Sequence, residues 1–168
     1  MATDSKGILY GTDGYVTANG TDIGHTIGEI EIELGTEQYY PDLARARGPV
    51  KGTGRVVSGA SKITLTIAQW QYAILSTLYS MGASSDANSE KIGSGPLGTI
   101  TEIPDIIVTG ITRNDGKAFR ATIPFARVTS PLAAALAPKQ EAGLEITFEG
   151  LFTDAAPATM PGWVEFAK

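Results

Sequence analysis

Along much of the chain, hydrophobic and polar residues alternate one by one. Ile30, Ile32 and Leu34 alternate with Glu29, Glu31 and Glu33; Ile63, Leu65 and Ile67 with Lys62, Thr64 and Thr66; Leu144, Ile146 and Phe148 with Glu145, Thr147 and Glu149. A period of two puts one set on each face of an extended segment, so all three predict half-buried β-strands. Two β-branched apolar runs flank "RNDGKA", where Asn114, Asp115 and Gly116 supply the positive φ of a tight hairpin turn. One segment has another period. Trp70, Ala73, Ile74, Thr77, Leu78 and Met81 recur at three- and four-residue steps before Gly82, which predicts a helix over about 67–81 lying against a sheet. The span 132–137, between Ser130-Pro131 and Pro138, has under two turns and is equally a loop.

Three irregular stretches remain, at 35–54, 81–101 and 153–162, and loops of this length are functional or disordered. The order of strands, helix, loop, hairpin and strand predicts a mainly β fold, an antiparallel β-sandwich or barrel with one flanking α-helix. No internal repeat is evident, and 168 residues fit a single domain over 1–168.

Composition narrows the classes. With 42% hydrophobic and 18% charged residues the chain reads as globular and soluble, its apolar runs broken before they would span a bilayer. The start "MATDSKG" has no apolar signal core. The absence of cysteine excludes disulfides, thiolate metal sites and cysteine nucleophiles. Thirteen basic against 18 acidic residues give a net charge of -5, the wrong sign for a protein that grips nucleic acid.

Catalytic chemistry finds little support. His25, the sole histidine, sits in "IGHTIG" without a nucleophile signature and reads as a surface or turn residue, and a metal site of several histidines is impossible. "GSGPLG" at 93–98 fits Gly-x-Gly-x-x-Gly without a strand running into it, and in "GPVKGTG" Lys51 is not followed by the Ser or Thr of a phosphate loop. Glycosidase carboxylates occupy different environments in a cleft, whereas Glu29, Glu31 and Glu33 share one strand face. The expectation is a non-enzyme without a cofactor.

That comb of glutamates is the most distinctive pattern. Residues two apart on a strand lie about 6.5 Å from each other, so neighbouring carboxylates repel by about 0.6 kcal/mol in water and more where water is removed. The comb must be wet or compensated. The opposite face, Ile30, Ile32 and Leu34, is expected to be buried, each side chain stabilising by about 1.5–3 kcal/mol. The comb is either an ordinary solvated face paired with cations such as Lys62, Arg120 or Arg127, or an acidic wall that keeps another polyanion from adhering.

Taken in order, a strand pair, a long loop carrying "YYPDLARARGPVKGTG", "ASKITLTIAQWQYAILSTLY" as strand into helix, a hairpin around "NDGKAF" and the closing strand "GLEITFEGLF" resemble the major tail tube proteins of long, non-contractile phage tails. The likeness runs from about Tyr15 to Phe152. It implies six copies closing into a ring, and rings stacking into a virion tail tube assembled in the host cytoplasm. The partners implied are the chain itself, a tape-measure protein inside the tube, and tail terminator and tail-tip proteins. Viral DNA passes through without tight binding, and the subunit is not expected to insert into a membrane.

Carried over, Glu29, Glu31 and Glu33 would line the channel, and Tyr39, Tyr40, Asp42, Arg45 and Arg47 would make inter-ring contacts. Adjacent tyrosines offer rigid contact area and arginines offer forked donors; the same loop is also readable as a surface excursion with its tyrosines packed on their own domain. Trp163 and Phe166, in a terminal arm, would dock on a neighbour or cap their own core. The tube of a contractile injection device shares this architecture. A β-sandwich binding, adhesion or virion decoration module is the other class the pattern admits.

Overall fold

The computed structural model describes residues 9–24, 26–41, 51–52, 54–68, 71–79, 81–94, 100–112, 117–133, 143–156 and 158–167. The chain is mainly β and antiparallel, with a single helix among the described residues. Its strands are β1 (Leu9–Ala18), β2 (Thr21–Asp22), β3 (Thr26–Tyr39), β4 (Arg55–Ile67), β5 (Ala83–Ser85), β6 (Glu90–Ile92), β7 (Ile103–Thr112), β8 (Ala118–Val128), β9 (Leu144–Gly150) and β10 (Trp163–Phe166); the helix α1 is Tyr72–Leu78.

The main sheet runs β2-β1-β7-β8-β9-β4-β3, with β10 joined to β8. One edge of β8 is shared: Phe119 to Thr122 pair with β10, Ala126 to Val128 with β9. Strand β1, next to the terminal β2, and strand β3, at the other end of the order, approach each other, so the sheet curls around its own core.

The three alternating segments become β3, β4 and β9. Ile63, Leu65 and Ile67 face Phe148, Ile146 and Leu144 across the β4–β9 ladder, and all six are at most 1% exposed. The β7–β8 hairpin forms with Ile111 opposite Ala118, its turn 113–116 lying outside the described residues. In this hairpin the core side switches. Ile103 and Ala126 are a buried pair, yet the next buried pairs are Ile106–Ile123 and Val108–Ala121, which have the other parity. Between them stands Asp105 at φ 49, next to the position where Pro124 has no N–H to give the ladder.

The helix is shorter than its spacing predicts. Gln71 and Tyr79 are both extended, and the Tyr79 N–H closes the last turn on Leu75 O at 3.1 Å. Ile67 belongs to β4, Met81 lies past the helix, and Trp70 is outside the described residues. Leu75 and Leu78 are its buried residues. Residues 131–133 are not helical, and 134–137 lie outside the described residues.

The predicted loop 81–101 contains the β5–β6 hairpin. Its turn is held by Asp86, whose Oδ1 accepts from the N–H groups of Asn88 (2.9 Å) and Ser89 (2.8 Å), while Oδ2 accepts from Ser89 Oγ at 3.0 Å. These bonds, the Asn88 N–H foremost, hold the Asp86 carboxyl below its ordinary range.

Candidate functional site

Glu29, Glu31 and Glu33 are all exposed on β3, while Ile30 and Ile32 on the other face are half-buried against the core. Leu34 departs from expectation at 42% exposed. Its partner is Ser61, one step beyond the last β4–β9 pair, Lys62–Glu149, so β9 no longer backs the strand there. A bulge between Ile27 and Glu31, with Gly28 at φ 75, sets Glu29 at the irregular end of the comb.

Directly opposed residues on neighbouring strands point to the same side, so the register assembles a charged face. Glu33 on β3 lies opposite Lys62 on β4, Lys62 opposite Glu149 on β9, and Glu149 opposite Arg127 on β8. Arg127 Nε and Nη2 both donate to Glu149 Oε2, at 3.0 and 2.8 Å. In the next row Glu31 faces Thr64, whose hydroxyl bonds that of Thr147 at 3.2 Å. Glu145 and Glu37 extend the face at either end, Glu37 accepting from Ser58 Oγ at 2.9 Å.

Of the cations expected to pair with the comb, Lys62 is placed opposite Glu33, whereas Arg127 is engaged by Glu149. Arg120 lies elsewhere, opposite Thr109 and Glu165. Among the described residues six carboxylates (Glu29, Glu31, Glu33, Glu37, Glu145 and Glu149) thus share a wet face with three cations, Lys62, Arg127 and, opposite Tyr39 at the far end, Arg55. Partly exposed pairs of this kind contribute about 0–1 kcal/mol; their main effect is to leave the face net negative.

Beyond Lys62, β3 and β4 continue as a two-stranded ribbon to the pair Tyr39–Arg55. Here the expected loop 35–54 is corrected: residues 35–39 are strand, because backbone pairing with β4 continues although the side chains from Thr36 to Tyr39 are all exposed. Val56, Val57 and Tyr39 are 64%, 56% and 55% exposed. The tyrosines behave differently. Tyr40 folds its ring over Gly54, where an added Cβ would come within 2.5 Å of it, and its hydroxyl donates to Gln38 Oε1 at 3.4 Å. Tyr39 stays open. Lys51 and Arg55 give this end positive charge around a shallow hollow of about 540 Å³. Asp42, Arg45, Arg47 and His25 lie outside the described residues.

Trp163 and Phe166 sit on β10, opposite Thr122 and Phe119 of their own domain, but are 43% and 59% exposed. The Trp163 indole N–H donates to Glu165 Oε1 at 2.9 Å. Just before them Gly162 packs on Ser61 and the Thr122 carbonyl, burying a Ser61 hydroxyl that has no hydrogen-bond partner among the described residues.

Periodicity missed the Glu33-Lys62-Glu149-Arg127 row and the apolar ribbon residues Val56 and Val57. The row depends on which strands are neighbours, and the valines interrupt an alternation that would have marked them as strand. No family model and no curated protein matches the chain.

Proposed function

We propose that this chain is a structural, self-assembling subunit of a phage tail tube, and not an enzyme, with its acidic sheet face turned to the passage and its β3–β4 ribbon reaching the next ring. The observation that carries the reading is the solvent-facing sheet surface, which among the described residues holds six carboxylates to three cations. A duplex carries one negative charge per about 1.7 Å of axis, so a wall of this sign keeps it mobile where a basic wall would hold it by counterion release.

Two further features support assembly. Among the described residues β3 ends the sheet with its outer edge unpaired over 14 residues, and β1 is covered on its outer side by β2 only at Thr17 and Ala18. Such edges invite pairing with another chain. The ribbon end combines open apolar residues with Lys51 and Arg55, a composition suited to docking.

Negative-stain electron microscopy and sedimentation of the purified chain over a concentration series test the reading. Rings or tubes with an open lumen are expected, and a species that stays monomeric throughout would overturn it.

A further inference from the structure

The strands of the main sheet are antiparallel, so the chain turns alternately at its two ends. The ribbon tip is one end, where β3 finishes at Tyr39 and β4 begins at Arg55. At the other end β4 finishes at Ile67 ahead of α1, β1 turns into β2 at Asn19 and Gly20, and β7 begins at Ile103. These pieces form one rim. The Asn19 N–H donates to Pro104 O at 2.9 Å, and Ala73 and Thr77 of α1 border the same hollow as Thr21 and Glu102.

The two ends have opposite charge. Asp22, Glu102 and Asp105 are exposed at the rim, and no lysine or arginine occurs in 9–24 or 100–112. Lys51 and Arg55 are exposed at the tip, and the sequence joining β3 to β4, residues 40–54, holds Arg45, Arg47 and Lys51 against Asp42. Apolar surface accompanies the charge at both ends: Val56 and Val57 at the tip, and Ile100, 58% exposed, at the rim.

Within one copy these charges do not satisfy each other. Between the ends β4 has 13 residues, about 40 Å of strand, whereas the screening length at 0.15 M salt is about 8 Å. A second copy in the same orientation, set end to end with the first, brings tip to rim with opposite signs. Turned round, it would bring tip to tip or rim to rim, and like charges across a contact reject that arrangement. The comb, the other acidic surface, faces the passage in the tube reading and is not available to the tip.

We propose that the ribbon tip of each copy docks on the rim marked by Asp22, Glu102 and Asp105 of a copy in the next ring, so that the opposite charge of its two ends fixes the head-to-tail direction of stacking. This rests on the tube reading and names the surface that receives the ribbon.

The chain has no cysteine, which makes the contact directly readable. Chains carrying Val57→Cys and chains carrying Ile100→Cys, both at exposed positions, are mixed at a concentration that assembles and treated with a short bismaleimide. Links between the two kinds of chain are expected, and links between chains of one kind are not. Lys51→Glu with Arg55→Glu, and separately Glu102→Lys with Asp105→Asn, should each raise the concentration needed for assembly at least about fivefold, since each loses two exposed attractions and adds repulsion. Asparagine tolerates the φ of 49 at position 105. An equimolar mixture of these two variants should assemble at a lower concentration than either alone, and 0.5 M salt should weaken assembly of the native chain. If a reversed variant does not fold, Glu102→Gln, which introduces no new charge, carries the test with an expected rise of about twofold.

Tubes that give only links between chains of one kind, or charge variants that assemble as the native chain does, overturn the docking and leave the tube reading standing. Filaments without a lumen that carry the mixed link would keep the end-to-end contact and overturn the tube. A chain that stays monomeric overturns both.

Discussion

Reversing the comb, by replacing Glu29, Glu31 and Glu33 together with lysine, separates folding from the proposed role of the acidic face. Each replacement adds two charges, so three take the net charge from -5 to +1. Because all three side chains are exposed, no buried apolar area is lost. Like-charge repulsion along the strand is unchanged, since neighbouring lysines repel as glutamates do, by about 0.6 kcal/mol per pair. The new term is across the ladder, where Glu33 facing Lys62 becomes lysine facing lysine. At about 5 Å in water that reversal costs about 1–2 kcal/mol, and urea unfolding should report a loss of this size with the transition intact. Duplex binding should change far more. Three lysines contacting phosphates give a log–log salt slope near -2.7, so affinity should fall about 40-fold between 50 and 200 mM salt. Fluorescence anisotropy with a labelled duplex should show this dependence for the variant and no binding for the native chain, and assembled tubes of the variant should retain DNA that native tubes release. A native chain that binds the duplex as well as the variant does would refute the reasoning, as would a variant that fails to fold, since the comb would then be packed and not wet.

Other perturbations test other parts of the structure. Phe148→Ala empties the largest fully buried side chain among the described residues, at 0% exposure between β4 and β8, and should cost about 3–5 kcal/mol by urea unfolding. Gly162→Ala would set a methyl 2.9 Å from the Thr122 carbonyl and 3.0 Å from Ser61 Oγ, and overpacking against backbone should cost about 1–3 kcal/mol. Gly59→Ala meets the sulfur of the flexible Met160 side chain, so a smaller loss in a parallel thermal melt is expected. Val56→Asp with Val57→Asp places charge on already exposed ribbon residues. Stability should move by less than about 0.5 kcal/mol per site, while self-association by sedimentation is lost.

The fold was legible where one face of a strand is buried, because burial imposes the period of two. Ile63, Leu65 and Ile67 and their partners on β9 announced themselves in this way. The ribbon did not. Thr36, Glu37, Gln38, Val56 and Ser58 are exposed, so no core selects among them, and what holds them extended is backbone pairing, which leaves no mark on side-chain identity. The helix was read too long for a related reason. Ile67 and Met81 fit the helical spacing of Trp70 to Leu78, but the β4–β9 ladder claims Ile67 and the extended Tyr79 ends the helix before Met81. The comb's exposure followed from repulsion alone, while its place beside Lys62, Glu149 and Arg127 required the strand order, which is non-local information.

That strand order also restricts how copies can meet. Hiding the acidic face in a contact would desolvate carboxylates at several kcal/mol each unless every one found a partner, so the face is a poor contact surface and must stay toward water in any assembly. The open edges of β1 and β3 remain. If β3 paired with β3 of another copy about a two-fold axis near Glu31, an isologous contact, directly opposed residues would share a sheet face and comb would oppose comb with like charges across the ladder. Pairing β3 of one copy with β1 of the next avoids that outcome. Two different surfaces then meet at every contact, and a heterologous contact of this kind propagates around an axis, closing into a ring or running on as a filament, instead of stopping at a dimer. The sign of one sheet face therefore favours the annular assembly that the proposed conduit requires.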